Sequence, residues 1–222
     1  MPLPDQPSIA VLPFTNMSDD PKQEYFADGI TDDLITDLSQ VSGLFVISRN
    51  STFVYKGKTV PPKQVSDELG VRYVLEGSVQ RADQLIRINA QLIDATTGGH
   101  VWADRYEGSL ADIFGLQDKV TSSVADALAL RLSPGSQHGA SARGTSVPAA
   151  YEAFLQGWEH YRRTTPDDFA RAIPHLEDAI KLDPNYGRAY AALAMVYFST
   201  YDRWWHESLG LTYAEAETRA QQ

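Results

Sequence analysis

The stretch from residue 8 to residue 40 constrains the fold most, because it combines a strand, a polar loop and a long helix in immediate succession. Residues 9–14 form an apolar run that indicates a buried strand. The helix is indicated by apolar side chains at helical spacing, namely Phe26, Ile30, Leu34, Ile35 and Leu38. A strand that leads directly into a helix predicts an α/β fold.

The loop between this strand and this helix does not have the composition of a phosphate-binding loop. Residues 16–21 include Asp19 and Asp20 and contain no glycine. Phosphate-binding loops present backbone N–H groups at a helix N-terminus and need glycine where the anion approaches closely. We therefore predict a solvated turn, with Pro21 near the first helical turn.

Two further patterns predict that the sheet is mixed. Residues 44–47 are apolar and favour a strand buried on both faces and parallel to the first. From residue 71 the hydrophobic period changes to two, with turns near residues 82–84 and 94–99. This pattern predicts a meander of three antiparallel strands.

Helices are predicted on both sides of the meander. Residues 62–69 have a proline at their start and a glycine just beyond their end, as expected of a short helix. Apolar residues along one face from residue 113 to about residue 132 predict a long helix that packs on the sheet. Ser109 and Asp112 predict a loose capping box at the start of this helix.

Composition divides the chain into two domains. Residues 134–148 are rich in Gly, Ser and Pro and show no apolar period, which is typical of a flexible linker. We therefore assign residues 1–133 to an α/β module and residues 149–222 to a helical segment. The predicted fold class is a mixed parallel and antiparallel α/β domain followed by an all-α repeat segment.

The helical segment resembles tetratricopeptide repeats, with one complete unit and one truncated unit. Gly157 and Ala194 occupy the small position where the paired helices of such a repeat touch, and Ala172 and Ala179 occupy other close contacts. The first unit departs from the repeat pattern at residues 164–168. This departure predicts a long loop between its two helices.

The first 130 or so residues resemble a known family of modules. The blocks that carry the resemblance are IAVLPF, NMSDD, EYFADGITDDLITDLS, VISRNSTFVYKGK, ELGVRYVLEGSVQR, INAQLIDATTGGHVWADRYEG and DIFGLQDKV. They are similar to the TolB-amino-terminal-like, or FlgO-like, module of bacterial signalling proteins. In that family the module follows class III adenylate/guanylate cyclase catalytic domains or winged-helix DNA-binding domains, and tetratricopeptide repeats usually follow it. The resemblance implies no ligand and no catalytic residue.

The charge of the chain disfavours nucleic acid as a partner. The net charge is −10, and Asp and Glu outnumber Lys and Arg on both sides of the predicted linker. Neutralising phosphates needs a basic surface, which neither part offers. No apolar run approaches the length of a membrane span, and the N-terminus lacks the features of a signal peptide. The absence of cysteine leaves cytoplasmic and periplasmic locations equally open.

The sequence contains no recognisable metal or catalytic constellation. The five histidines are far apart, without a pair at helical spacing beside a glutamate. His160 and His175 could meet across the first helix pair, where we expect ordinary inter-helix histidines. One helix carries four aspartates, but a single helix face does not surround a cation, so we expect a solvated acidic face at Asp28, Asp32, Asp33 and Asp37. We predict no catalytic residue, no cofactor and no metal.

A candidate partner groove is predicted in the repeat segment. Aligning Gly157 with Ala194 places one set of side chains on the helix faces that line the concave groove of such repeats. Aromatic and Arg side chains in a groove dominate peptide binding, so we predict a protein or peptide partner, or a second copy of the chain. The alternative left open is that the aromatic rings pack internally. The set is Tyr151, Phe154, Trp158, Tyr161, Arg188, Met195 and Phe198.

These observations predict a non-catalytic regulatory and interaction region of a bacterial signalling protein. The resemblance implies a position C-terminal to an adenylate/guanylate cyclase catalytic domain that this chain does not contain, with a winged-helix regulator as the next candidate parent. We therefore expect the chain to be part of a longer protein. The alternative from another class is a small-molecule sensor with its ligand at the sheet or between the domains.

Overall fold

The computed structural model describes residues 6–129, 144–203, 205–212, 214–215 and 218–219. The chain separates into two compact units, residues 1–142 and 143–222, and each is described by itself. Most of the predicted linker and the predicted end of the long helix near residue 132 lie outside the described residues.

The first unit, called the sheet unit below, is built on a mixed sheet. Its strands are β1 Ser8–Val11, β2 Thr15–Asn16, β3 Phe45–Val46, β4 Tyr73–Ala82, β5 Leu85–Asp94 and β6 Gly99–Ser109. The strand order is β3-β1-β4-β5-β6, and β2 also pairs with β4. β4 is parallel to β1 and β2 and antiparallel to β5. The predicted mixture of parallel and antiparallel strands is confirmed.

The three long strands form the meander that the two-residue period predicts. β4 and β5 are joined by the two residues Asp83 and Gln84, and Asp83 has φ +52°. A tight hairpin turn needs a left-handed backbone, which Asp tolerates better than most residues. β6 pairs with β5 along its length, with one register shift between Leu92 and Ile93.

Helices cover one face of the sheet unit and only part of the other. They are α1 Glu24–Ser39, α2 Arg49–Thr52, α3 Pro62–Leu69 and α4 Ile113–Ala127. α4 packs against β5, β6 and α1, which confirms its predicted position on the sheet. On the opposite face, residues of the α2–α3 region cover β1 and the start of β4 through a buried apolar cluster that includes Leu12, Tyr55, Val65 and Val74. Further along β4, the side chains on this face become polar.

The boundaries of α3, β3 and α4 can be compared with the predictions made from nearby residues. α3 begins at Pro62 and is followed by Gly70 with φ +67°, as the proline and glycine pattern predicts. β3 lies at the edge of the sheet and Phe45 is 43% exposed, so the predicted burial on both faces is wrong. The predicted capping box is also wrong, because neither Ser109 nor Asp112 makes a side-chain capping hydrogen bond. A turn of 3-10 helix at Leu110–Asp112 precedes α4 instead.

The second unit, called the helical unit below, contains α5 Pro148–Arg163, α6 Pro166–Leu182 and α7 Gly187–Asp202. α5 and α6 approach closely at Gly157. A Cβ at this position would lie 2.7 Å from Leu176 Cγ and 3.1 Å from the carbonyl oxygen of Ala172. Gly157 therefore lies where the two helices touch, as predicted for this small position, and only glycine fits there without a shift of its neighbours.

The connection between α5 and α6 is short, which corrects the predicted long loop at residues 164–168. Thr164 ends α5 with φ +53°, and Thr165 caps α6 by accepting a hydrogen bond from the Asp168 N–H at 3.1 Å. Pro166 occupies the first helical turn, where its missing N–H costs nothing. A Thr cap, a proline and two acidic residues favour a helix start, so residues 166–168 belong to α6.

Candidate functional sites

Three of the four aspartates of α1 are buried, so the predicted solvated face is wrong for these three. Asp28, Asp33 and Asp37 are each 3% exposed or less. Lys56 Nζ lies 2.5 Å from Asp28 Oδ2 and 3.4 Å from Glu24 Oε1. A buried carboxylate needs a cation or hydrogen-bond donors, because burial removes it from water. Lys56, from the segment that follows α2, supplies that cation.

A second pair from the same segment reaches α1. Arg49 Nε lies 3.3 Å from Asp32 Oδ1, and the Arg49 guanidinium lies 3.5 Å from the centroid of the Phe53 ring. From the other side, Gln117 of α4 donates to Asp33 Oδ2 at 3.3 Å. The aspartates therefore join α1 to its neighbours. Sequence reasoning missed this role, because Arg49 and Lys56 are distant in sequence from the aspartates that they contact.

The sheet unit contains an open cleft of about 1070 Å³ on the partly covered face of the sheet. The segment from residue 57 to residue 60 lines it, with Tyr55 and the residues Leu12, Pro13 and Thr15 that follow β1. The polar side chains that continue from the apolar cluster along β4, β5 and β6 also line it, namely Glu76, Ser78, Asn89, Gln91 and Arg105. The cleft exists because α2 and α3 cover only part of this face.

Cross-strand hydrogen bonds organise the polar floor of the cleft. Gln91 Nε2 donates to Glu76 Oε1 at 2.5 Å, and these two residues are directly paired in the β4–β5 register. Asn89 Nδ2 donates to Ser78 Oγ at 3.1 Å, and Asn89 Oδ1 accepts from Arg105 Nε at 3.0 Å. These bonds hold the side chains across three strands, so the floor is an ordered array of amide, hydroxyl and charged groups.

The aromatic residue of the cleft lining is not available for stacking. Tyr55 is 7% exposed, and its hydroxyl donates a hydrogen bond to Glu68. Burial and then this carboxylate raise the pKa of Tyr55 to about 12. The same hydrogen bond is the main cause of the lowered pKa of Glu68. Tyr55 is therefore a neutral structural residue of the cleft wall.

The predicted groove residues of the helical unit divide by exposure. Tyr151 is fully buried and Phe154 is 2% exposed, so these two cannot contact a partner as predicted. Their rings fill the interior between the helices. By contrast, Met195 and Phe198 on α7 are 43% and 59% exposed. The Arg188 guanidinium lies 4.8 Å from the Phe154 ring centroid.

Trp158 and Tyr161 lie between these extremes, in a continuous stack of aromatic rings. Both side chains are half-buried. The centroid of the Trp158 ring is 5.9 Å from that of Phe154 and 5.1 Å from that of Tyr161. Phe169 extends the stack at 5.4 Å from Tyr161. Internal packing, the alternative left open by the sequence, thus accounts for much of the aromatic content, and the repeat alignment gave no signal for Phe169.

His160 and His175 meet across α5 and α6 as the sequence suggested. Their ring centroids are 5.8 Å apart and the rings are nearly parallel. His160 Nδ1 lies 3.0 Å from Asp168 Oδ1. Burial, followed by the charge of His160, lowers the pKa of His175.

The described ranges offer neither a metal-binding cluster nor a membrane-spanning helix. No group of three His, Asp or Glu side chains there is arranged to hold a metal ion. Among the helices that the structure describes, none has both the length and the apolar character required to cross a membrane.

Comparison with known proteins relates the chain to two kinds of signalling protein. Residues 5–123, just over half of the chain, match the family described as HilA/YgeH-like transcriptional regulator, second domain. A Rhizobium meliloti (strain 1021) protein named "Putative adenylate cyclase 3" is 50% identical over 204 residues. The match covers 92% of this chain and 35% of that protein, so the chain spans about a third of the length of its relative.

Solved structures similar to the chain include TolB and the lipoprotein GNA1162. TolB from Acinetobacter baumannii has a TM-score of 0.40 and 16% identity, over 57% of this chain and 29% of that chain. Lipoprotein GNA1162 from Neisseria meningitidis has a TM-score of 0.41 and 23% identity, over 55% of this chain and 98% of that chain. The family match covers the sheet unit from residue 5 to within α4. The chain therefore belongs to the family of the second domain of HilA/YgeH-like transcriptional regulators.

Proposed function

We propose that this chain is a non-catalytic regulatory region of a bacterial signalling protein whose output domain lies elsewhere in its parent. One observation carries the proposal: similar sequence occurs beside two different outputs. The family is named for the second domain of a transcriptional regulator, while the Rhizobium meliloti relative is named as an adenylate cyclase. A module that accompanies unrelated outputs is suited to controlling them, and does not itself perform either reaction.

We infer that the parent of this chain is an adenylate/guanylate cyclase. The 50% identity to the Rhizobium meliloti relative extends through 92% of the chain, whereas the family match ends at residue 123. The proposed organisation is a TolB-like module at residues 1–133, a linker that ends before the buried Thr145, and tetratricopeptide repeats that begin with α5 at Pro148. The close α5–α6 contact at Gly157 supports the repeat assignment, since paired helices of such repeats touch through small residues.

The proposed partner surface lies on the helical unit and differs from the predicted groove. Met195 and Phe198 are exposed apolar side chains three residues apart on α7, so they share one face of the helix. Exposed apolar side chains on one helix face suit contact with a protein, a peptide or a second copy of the chain. Trp158 and Tyr161 are half-buried and contribute only their exposed edges, and the buried Phe154 ring packs against Trp158.

The regulatory proposal is tested in the full-length Rhizobium meliloti relative. Cyclic AMP production is compared among three proteins. They are the intact protein, a variant that lacks the region aligned to this chain, and a chimera in which this chain replaces that region. We expect the deletion to change the rate several-fold and the chimera to restore it. Equal rates in all three proteins, at equal expression, would contradict the proposal.

The catalytic part of the proposal is tested on this chain alone. The purified chain with ATP or GTP and with Mg²⁺ or Mn²⁺ is expected to yield no cyclic nucleotide. Turnover that co-purifies with the chain through a second, different column would show that the chain is an enzyme.

Small-molecule sensing is a second candidate function, and the cleft of the sheet unit favours it. A concave site with a few ordered polar groups is the usual form of a ligand pocket. Sensing and regulation are compatible, because a ligand that binds one state of a module better than another shifts its equilibrium.

A further inference from the structure

We propose that the cleft of the sheet unit binds a short peptide with a free carboxylate, and that Arg105 and Lys58 contact that carboxylate. The inference rests on the sensing function proposed above. A direct binding measurement tests it without reference to any cyclase activity.

The size of the cleft favours a ligand of several residues. Its volume of about 1070 Å³ is slightly above the range of about 300–1,000 Å³ that small-molecule pockets occupy. An inorganic ion or a single amino acid would leave most of this space to water. The cleft is also open on one side, which suits an extended ligand.

Two cations in the cleft lining are placed to bind an anion, although the charge of Lys58 also contributes to the lowered pKa of Glu68. Among the described residues, no carboxylate lies within ion-pair distance of Arg105 or Lys58, although both line the cleft. The Arg105 Nε–H donates to Asn89 Oδ1 at 3.0 Å, which orients the guanidinium and leaves its terminal nitrogens for a ligand. A planar guanidinium held in this way matches a carboxylate through two parallel hydrogen bonds.

The neighbouring Arg87 shows what a structurally engaged arginine looks like on the same sheet. Arg87 Nε lies 2.7 Å from Glu107 Oε1, and Arg87 Nη1 donates to Gln80 Oε1 at 3.2 Å. Arg87 does not line the cleft. Arg87 therefore stabilises the sheet, whereas Arg105 is available to a ligand.

The rest of the floor matches the chemistry of a peptide backbone. Asn89 and Gln91 carry amide groups that both donate and accept hydrogen bonds, as peptide groups do. Glu76 supplies a carboxylate for the peptide's amino terminus or N–H groups. A ligand with both signs of charge and alternating donors and acceptors satisfies this array better than a simple anion.

The same lining disfavours a nucleotide. Binding of nucleobases usually relies on stacking against an aromatic face. The aromatic residue in the lining, Tyr55, is 7% exposed and bound to Glu68 through its hydroxyl. The cleft therefore offers polar and charged groups but no exposed ring.

The experiment uses the full chain and tetra-alanine as the probe, with binding followed by isothermal titration calorimetry and by backbone NMR. Three peptides are compared: one with free termini, one amidated at its C-terminus and one acetylated at its N-terminus. Two variants, Arg105→Gln and Lys58→Gln, remove the proposed carboxylate contacts. Arg87→Gln is the matched control, because it removes a cation from the same sheet outside the cleft.

We expect saturable binding of the free peptide, with NMR shifts concentrated on β4, β5 and β6. Amidation and Arg105→Gln should each weaken binding about tenfold or more, since each removes one side of a charge-assisted contact. Lys58→Gln should weaken binding less, and Arg87→Gln should leave it unchanged. Melting temperatures of the unliganded variants show that Arg105→Gln and Lys58→Gln remain folded, since both side chains are exposed.

The inference is overturned if no peptide binds saturably, or if binding is unaffected by amidation or by Arg105→Gln. A peptide that fails to bind while the deletion changes cyclic AMP production would reject this inference and leave the regulatory proposal standing.

Discussion

Lys56 Nζ lies 2.5 Å from Oδ2 of Asp28, a residue in the first half of α1 that is 3% exposed. The two residues come from different elements and are separated by the whole of β3. The contact therefore holds the segment after α2 against α1. It joins a half-exposed ammonium to a buried carboxylate, which makes it energetically different from an ion pair on the surface.

Removing this cation should destabilise the sheet unit. Lys56→Met leaves the buried Asp28 carboxylate without its lysine, and we expect the free energy of unfolding to fall by about 2–3 kcal/mol. Urea unfolding followed by circular dichroism measures the change. The matched control is Lys63→Met, because Lys63 pairs with Asp67 where both side chains are more than 60% exposed. The control should cost less than about 1 kcal/mol. If Lys56→Met and Lys63→Met lower the free energy of unfolding equally, the Lys56–Asp28 contact does not stabilise the sheet unit more than a surface ion pair does.

Gly77 should tolerate no side chain. A Cβ at Gly77 would overlap the carbonyl oxygen of Asn89 and lie 2.6 Å from Phe14 Cε2, and the Phe14 ring is buried. We expect Gly77→Ala to lower the free energy of unfolding by about 2 kcal/mol or more, because strand β5 or the ring must move. Gly187→Ala, which would meet nothing within 4 Å, is the neutral control. A melting temperature for Gly77→Ala equal to the wild-type value would show that the sheet relaxes without cost.

The buried and exposed members of the predicted groove should respond differently to truncation. Phe154→Ala removes a ring from the interior of the helical unit and should cost about 3 kcal/mol of stability. Phe198→Ala removes an exposed ring and should change stability by less than about 0.5 kcal/mol. If Phe198 contacts a partner or a second copy, its replacement should reduce association in sedimentation velocity with the melting temperature unchanged. If association persists in both Phe198→Ala and Met195→Ala, the proposed partner surface on α7 is wrong.

The helical unit should lose stability in mild acid through His175. Its pKa is lower in the folded protein than the ordinary 6.5, chiefly because of burial. The unfolded chain therefore binds more protons below about pH 6.5, so the contribution of His175 is complete above that pH and declines as the pH falls. We expect the melting temperature to drop between pH 7 and pH 5.5, and His175→Gln to flatten that drop. His100→Gln, at an exposed position, should keep the wild-type slope. If the melting temperature of His175→Gln falls with pH as steeply as that of the wild type, His175 is not the cause of the acid sensitivity.

Limited proteolysis should separate the two units. The Gly, Ser and Pro composition of residues 134–148 predicts cleavage there. The C-terminal fragment should begin before Gly144, because Thr145 is buried and its hydroxyl donates to Asp183 Oδ2 at 2.5 Å. N-terminal sequencing and mass spectrometry identify the cut. First cleavage within β4, β5 or β6 would contradict the division at residues 142 and 143.

Local sequence signals predicted the elements whose boundaries depend on nearby residues. Pro62 and Gly70 bracket α3, and the two-residue period gave all three strands of the meander. One local signal was overlooked. Thr165 caps α6, but the repeat pattern favoured a longer loop at this position. Where cap chemistry and a repeat template disagreed, cap chemistry was correct.

Features that depend on distant residues could not be predicted in the same way. The aspartates of α1 were predicted to be solvated because charged side chains are usually exposed. Their partners Arg49 and Lys56 are distant in sequence, and no local pattern predicts these contacts. The cleft was also hidden. Alternation shows that Glu76 shares a face with Val74, but not that the α2–α3 region stops covering that face between them.

β4 pairs with one neighbour in parallel and with the other in an antiparallel hairpin, and this sets the order in which the sheet can assemble. The hairpin partners of β4 follow it closely in the chain, so β4, β5 and β6 can form by short loop closures. β1 is synthesised before its partners, and β3 pairs with it only at Ser8 and Ile9, so Ala10 and Val11 have no strand to join until β4 exists. On the ribosome, these two fully buried residues therefore remain unpaired while the intervening helices emerge. Within the sheet, the end of β1 is the part that waits longest for its partner and is exposed to aggregation and to chaperones during that time.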